Sequence, residues 1–311
     1  MPLDRIYVTR HANRLGWTID LSTGTYRATF PTPTGIPNDP TLTAYGLRQS
    51  QELAAHLASE EFEPKPCRVY SSPFYRCLET IRPSVEALKE KATGAEDLVV
   101  RTENGLGDWF GYATYFTHPA PASRTELQSH FPSILTSSST STRRHDKSHV
   151  IPPPHGETIP QLHDRLALTL SRIVAEVDSE LDAEEEKNRE GGEQQSRAIL
   201  ICTHAASLIA IGRALTGNMP EDPSEVDFRP FTAGLSTFVR RGRGKEAGSG
   251  GAVEEGGELD WKGGKGIGGG WDCVGNGECG FLSGGEERGW NFNGEESFDS
   301  VVSSDDTAPK L

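Results

Sequence analysis

Residues 198–202 (AILIC) form an unbroken apolar run, and residues 5–9 (RIYVT) form a β-branched one that ends at charged residues. A strand with apolar side chains on both faces has to be covered on both faces, as in a parallel sheet flanked by helices. The chain between and after these runs alternates accordingly. Leu47, Leu53, Ala54 and Leu57 recur at helical spacing and predict a helix over 43–59, with Thr43 as its N-cap. A strand at 68–71 leads through Pro73 into a helix over 75–89, and a third strand follows at 98–101. Leu162, Leu166, Leu170, Ile173 and Val177 predict a helix over 159–181, and 205–215 reads as another, followed by a strand at 234–240. Strands alternating with helices over residues 5–240 imply an α/β sheet with helices on both faces, and such sheets bind ligands beyond the C-terminal ends of their strands.

The remaining segments are read as connections. Residues 15–39 and 112–156 are rich in Pro, Gly, Ser and Thr, with 133–148 of low complexity and either disordered or a mobile lid. Residues 182–197 read as a polar connector and 242–270 as a flexible Gly/Glu/Lys loop. Beyond it, 271–282 and 290–292 regain apolar character and are expected to supply a strand that pairs with 234–240. The expected organisation is a single domain over 1–295, with irregular insertions at about 112–156 and 242–270 and a disordered tail at 296–311.

A formal net charge of −14 is poorly suited to a nucleic-acid backbone, though it leaves room for one phosphate in a local basic pocket. Five cysteines (Cys67, Cys77, Cys202, Cys273 and Cys279), odd in number and without a Cys-x-x-Cys pair, argue against a disulfide framework or a structural zinc site. The N-terminus carries no leader pattern, and no apolar run approaches membrane-spanning length. The expectation is a cytoplasmic or nuclear protein without membrane or direct nucleic-acid contacts.

The strand ends carry the chemistry. They deliver Arg10, His11 and Arg14 after the first strand, Arg76 after the second, Asp108 beyond the third and His204 after AILIC. A phosphoryl group carries about two negative charges near neutral pH, and arginine presents planar paired donors to its oxygens. A neutral imidazole can attack phosphorus, and a carboxylic acid can protonate a leaving alkoxide. The bland alternatives are a structural histidine at 11, a surface ion pair at Arg76, a helix cap at His204 and a turn residue at Asp108.

The same residues carry a family resemblance. RHANR resembles the opening motif of the histidine phosphatase (phosphoglycerate mutase-like) superfamily, and Leu42-Thr43-x-x-Gly46-x-x-Gln49 is similar to its LTxxGxxQ segment. YSSPFYRCLETI, GLGDWFG, HGETIPQLHDR and ICTHAASL resemble four further segments in family order. The resemblance covers roughly residues 5–240 and implies a three-layer sandwich with a mostly parallel central sheet. It implies His11 as the phosphate-accepting nucleophile, Asp108 as proton donor, and Arg10, Arg14, Arg76 and His204 as the phosphate pocket, with no metal and no organic cofactor. The segment NGECGFLSGGEERGWNFNG is similar to the end of fungal members of the family, among them a phosphatase-like domain in the RNA polymerase III factor tau.

Two departures from the family pattern bear on turnover. Ala12 stands in the usual Gly position and disfavours a positive φ, and Asp108 is one methylene shorter than the usual Glu. The primary expectation is a phosphohydrolase acting on a phosphorylated small molecule or a phosphoprotein, with substrate choice set by residues 112–156. The second is a weak or inactive scaffold that binds a protein partner, in RNA polymerase III transcription for instance. Glu103 and Glu157 are the reserve candidates for the proton donor.

Overall fold

The structure, a computed structural model, describes residues 3–91, 98–135, 147–187, 197–242 and 259–293. The expected tail at 296–311, most of the low-complexity stretch at 133–148 and the first part of the 242–270 loop lie outside the described residues. In chain order the elements begin with β1 (Arg5–Arg10), a hairpin of β2 (Trp17–Asp20) and β3 (Thr25–Ala28), α1 (Ala44–Leu57), β4 (Pro66–Ser71), α2 (Tyr75–Lys91) and β5 (Val100–Thr102). They continue with α3 (Arg124–His130), α4 (Ile159–Lys187), β6 (Ala198–Thr203), α5 (Ala205–Thr216), β7 (Leu235–Arg240) and β8 (Trp271–Glu278).

Six strands form one sheet in the order β5-β4-β6-β1-β7-β8. β5, β4, β6 and β1 run parallel, and β7 and β8 add an antiparallel edge, so the sheet is mixed and mostly parallel. The pairing of β7 with β8 across the intervening loop is the one expected from sequence. Alternation along the strands divides the core. Ile6, Val8, Ile199 and Ile201 face a layer built from α4 and α5, whereas Tyr7, Val69, Leu200 and Cys202 face α1 and α2.

Local chemistry fixes the elements that carry the site. Thr43 caps α1, its hydroxyl accepting from Gly46 N at 3.0 Å. Gly46 has to be glycine, because a Cβ there would stand 1.9 Å from the Asn13 carbonyl oxygen, and that contact binds α1 to the turn after β1. Gly217 ends α5 in the left-handed region at φ 77°.

Four segments differ from expectation. Residues 15–39 contain the β2–β3 hairpin, whose strands alternate (Trp17 and Ile19, Tyr26 and Ala28) but are only four residues long, too short for the pattern to stand out between Pro, Gly and Thr. Residues 112–156 include α3, capped by Ser123. The supposed connector from 182 continues α4 to Lys187, because Ala and Glu are strong helix formers and Arg68 on β4 pairs with Glu180 and Glu184 of this helix. Residues 259–270 are packed, with Trp261 and Ile267 buried against α4 and α5; glycines at positive φ allow the tight turns there.

Candidate active site

Strand register brings the two histidines together. β1 and β6 pair with Arg10 opposite Thr203, so the next residues, His11 and His204, leave the sheet side by side. The His11 amide donates to the Thr203 carbonyl at 2.8 Å, and the imidazole centroids stand 5.3 Å apart, edge to face. β4 is in register with β6 through Ser71 and Cys202, which sets the Ser72 hydroxyl 2.8 Å from Nε2 of His204. Beyond β5 a single 3-10 turn, Asn104–Leu106, carries the chain to Asp108.

Nδ1 of His11 donates to the Ala12 carbonyl oxygen at 2.8 Å. A carbonyl only accepts, so Nδ1 holds the ring proton and Nε2 keeps its lone pair. Burial, reinforced by the charges of Arg76 and Arg10, holds this imidazole well below its ordinary range and therefore neutral near pH 7. Ala12 is accommodated without strain. It is absent from the residues with positive φ, its amide donates to Thr80 Oγ1 at 3.0 Å, and its methyl packs in a small cluster with Leu42 and Ala233.

Arg76 is fully buried and heavily engaged. Its Nη1 donates to the Asn38 carbonyl at 2.9 Å and to Asp39 Oδ1 at 3.0 Å. Its Nη2 donates to Asp108 Oδ2 at 2.7 Å and to His204 Nδ1 at 3.2 Å. His204 Nδ1 is thus an acceptor, and its Nε2–H points to Ser72. Burial and the neighbouring Arg76 keep the His204 ring neutral as well. Burial pulls the Arg76 pKa down, but Asp108 and Asp39 more than reverse that and leave it raised.

Arg10, His11, Arg14 and Asp108 line one pocket of about 90 Å³, room for a small anion and well above the ~10–15 Å³ that a single water needs. Arg10 is held by the carbonyls of Pro230 and Arg288, and Arg14 by the Leu15 carbonyl while stacking over Trp17 at 5.6 Å. Among the described residues no carboxylate forms an ion pair with either. Burial pushes Arg10 down to about 10, and burial with the facing Arg76 pushes Arg14 down to about 9, as expected where cations crowd without enough anions. Arg76 and His204 do not line this pocket; they stand behind it, joined to it through Asp108 and His11.

Some contributors were not singled out in the sequence. Asp39, buried in the loop before α1, orients Arg76 and accepts from the Tyr75 amide at 2.7 Å. Arg165 on α4 pairs with Glu157 and donates to the carbonyls of Gly105 and Gly107, which fixes the loop that presents Asp108. Aromatic residues and Ala205 and Ala206 supply the rest of the pocket wall, and among the described residues none of the wall comes from 112–156. The reserve carboxylates are committed elsewhere: Glu157 to Arg165, and Glu103 to the amides of Gly105, His149 and Val150. Asp39 and Arg165 carry a faint sequence signal at most, a lone acid before a helix and an Arg after HGE. Among the described residues no group of three or more His, Cys, Asp or Glu is arranged to hold a metal, and no helix is long and apolar enough to cross a membrane.

Comparison with known proteins places the chain. The transcription factor tau 55 kDa subunit of Saccharomyces cerevisiae is 28% identical over 307 residues, covering 94% of this chain and 59% of that protein. The ecdysteroid-phosphate phosphatase of Drosophila melanogaster is 25% identical over 244 residues, covering 71% of this chain and 28% of that one. The chain therefore spans well under two thirds of either relative. The crystal structure of an ecdysone phosphate phosphatase from Bombix mori in complex with tungstate aligns with a TM-score of 0.44 at 18% identity, over 78% of this chain and 90% of that one. The family model described as histidine phosphatase superfamily (branch 1) matches residues 6–248, which is most of the chain, and the chain belongs to that superfamily.

Proposed function

We propose that the chain is a phosphomonoesterase that works through a phosphohistidine on His11. The observation that carries this reading is the His11 imidazole: its proton is fixed on Nδ1 by the Ala12 carbonyl, and the ring lines a pocket whose cations, Arg10 and Arg14, have no direct carboxylate partner among the described residues. Nε2 attacks phosphorus and the P–O bond to the alcohol breaks; Asp108, its carboxylate protonated by the ester arriving as the monoanion, gives that proton to the departing alkoxide. Water then attacks phosphorus and passes a proton to Asp108; the P–N bond breaks, and His11 and free phosphate are regenerated. Arg10 and Arg14 hold the phosphoryl oxygens, with Arg76 and His204 behind them stabilising the charge in transfer. No step calls on a metal or organic cofactor. The substrate is a phosphorylated small molecule or a phosphoprotein, met in the cytoplasm or nucleus.

The test is hydrolysis of p-nitrophenyl phosphate in excess EDTA, together with trapping of labelled phosphate in an acid-labile, base-stable form. Wild type is expected to turn over and label, and His11→Ala to do neither while still binding phosphate through its arginines. Equal labelling in the variant would remove His11 as nucleophile.

A second reading is a phosphatase-like scaffold for a protein partner. The similarity to a transcription factor subunit favours it, as does the engagement of Arg76 by two carboxylates. It expects neither turnover nor labelling in wild type.

A further inference from the structure

Away from its charged end, the pocket is aromatic. Trp17 and Tyr26 of the β2–β3 hairpin meet Phe110, with ring centroids 5.3, 6.3 and 6.2 Å apart for the three pairs. Trp109 and Trp290 form a second pair at 6.3 Å, and all five rings line the pocket. The other lining residues outside the charged end are Ala205 and Ala206. The wall therefore has large apolar faces and few polar groups.

Those polar groups are mostly engaged already. The Trp109 indole N–H donates to the Glu157 carbonyl at 2.8 Å, and the Tyr26 hydroxyl is bonded to His118 Nδ1 at 2.6 Å. Two buried N–H groups on lining residues, Trp17 Nε1 and Arg10 Nε, have no hydrogen-bond partner among the described residues. Both only donate, so they suit the oxygens of the phosphate end. A polyol drawn into this wall would surrender water at each hydroxyl and find little to replace it, whereas a flat apolar group would lose nothing polar and gain ring contacts.

Resting on the phosphatase reading, we propose that the site selects phosphomonoesters of flat, apolar, ring-bearing alcohols and discriminates against polyol phosphates. Trp17 and Trp290 determine the selection, from two distant parts of the chain. Trp290 sits on the segment that follows β8 and is held by Phe292 at 4.9 Å.

Benzyl phosphate and glycerol 3-phosphate test this, because each leaves as a primary alkoxide and the chemistry of departure is matched. Wild type is expected to show kcat/KM at least about tenfold higher for benzyl phosphate. Calorimetry is expected to show benzylphosphonate binding about tenfold tighter than methylphosphonate, a comparison that needs no turnover. Trp17→Ala and Trp290→Ala are each expected to shrink both ratios, and Trp17→Phe to restore most of the loss. Equal affinity for the two phosphonates, or equal kcat/KM for the two esters, overturns the proposal. Preference for benzylphosphonate without hydrolysis of either ester would remove the phosphatase reading and leave the apolar selection standing.

Discussion

Nη2 of Arg76 lies 2.7 Å from Oδ2 of Asp108, so the proposed acid and a fully buried cation of the site neutralise each other. Asp39 holds the other side of the same guanidinium. A phosphate that reaches Arg76 therefore competes with the carboxylate of Asp108. Asp108→Asn keeps the shape and removes the charge. Vanadate or phosphate is expected to bind more tightly in this variant, by about 1–4 kcal/mol, the range for a unit charge at ~4 Å between bulk water and a protein surface. Turnover of alkyl phosphates is expected to fall by about 10²–10⁴-fold, since their leaving alkoxide needs a proton, while p-nitrophenyl phosphate suffers less. Anion affinity that stays at the wild-type value would show that Asp108 does not compete for the oxyanion position.

The arginines are not equivalent as test sites. Arg10 and Arg14 are held by carbonyl oxygens and keep their charge available. Either one changed to Ala is expected to weaken phosphate binding by at least about 1.5 kcal/mol, and Lys to restore only part, since it lacks the planar fork. Calorimetry with phosphate checks this, and wild-type affinity in both Ala variants would exclude them from the clamp. Arg76→Ala acts on folding first. It strands Asp39, buried at 0% exposure, and is expected to cost about 3–5 kcal/mol of stability in denaturant titration.

Buried imidazoles set the acid limit. Burial holds His11 and His204 well below the ordinary value, and burial pulls His163 and His118 down to about 4. These folded-state values are depressed, so below pH ~6.5 the unfolded chain takes up protons that the folded chain refuses. Stability from this source is whole above pH ~6.5 and is lost as pH falls toward about 4. His163 shows why: its Nδ1 donates to the Ile159 carbonyl at 2.7 Å, and its Nε2 accepts from Arg213 at 3.4 Å, leaving no place for a second proton. Its share is about 3 kcal/mol at full development. Urea unfolding at pH 7 and pH 4.5 is expected to show a smaller drop in His163→Gln than in wild type; parallel losses would mean that His163 protonates freely in the fold. In turnover, His11 is expected to stay neutral below pH 6.5, so its protonation should not limit kcat/KM between pH 7.5 and 6.5.

Much of the sheet was legible because AILIC and RIYVT admit few environments, and strand ends then point to one rim. The pairing of Arg10 with Thr203 is what turns that rim into a site, and register between strands nearly two hundred residues apart leaves no mark in local pattern. The pocket wall was missed for a related reason. Trp17 and Tyr26 lie in a hairpin of four-residue strands that reads as loop, and Trp290 arrives from beyond the last strand. Arg76 was read as a residue facing the phosphate, because an arginine after a strand says nothing of the two acids that enclose it. The charge run at 182–187 looked like a linker, yet its acids extend a helix toward Arg68.

Glu157 and Arg165 show how far the site extends into the core. Both are nearly buried, with Arg165 Nε 2.8 and 2.9 Å from the two carboxylate oxygens. Arg165 Nη1 donates to the carbonyls of Gly105 at 2.7 Å and Gly107 at 3.2 Å, so the pair fastens α4 to the loop that carries Asp108. Burial opposes both charges, lifting the Glu157 pKa and lowering that of Arg165, and the pair persists because each compensates the other. Removing one partner leaves a buried charge alone. Arg165→Met is therefore expected to cost about 3–5 kcal/mol of stability, and Glu157→Met with Arg165→Met together to cost less than Arg165→Met alone. The double variant still lacks the donors to Gly105 and Gly107. At a temperature where it remains folded, it is expected to lose turnover of alkyl phosphates more than of p-nitrophenyl phosphate, because the misplaced group is the proton donor and not the nucleophile. Equal loss on both substrates would mean that the loop reaches the chemistry by some route other than Asp108, and a double variant less stable than the single would mean that the ion pair is worth more than apolar packing in its place.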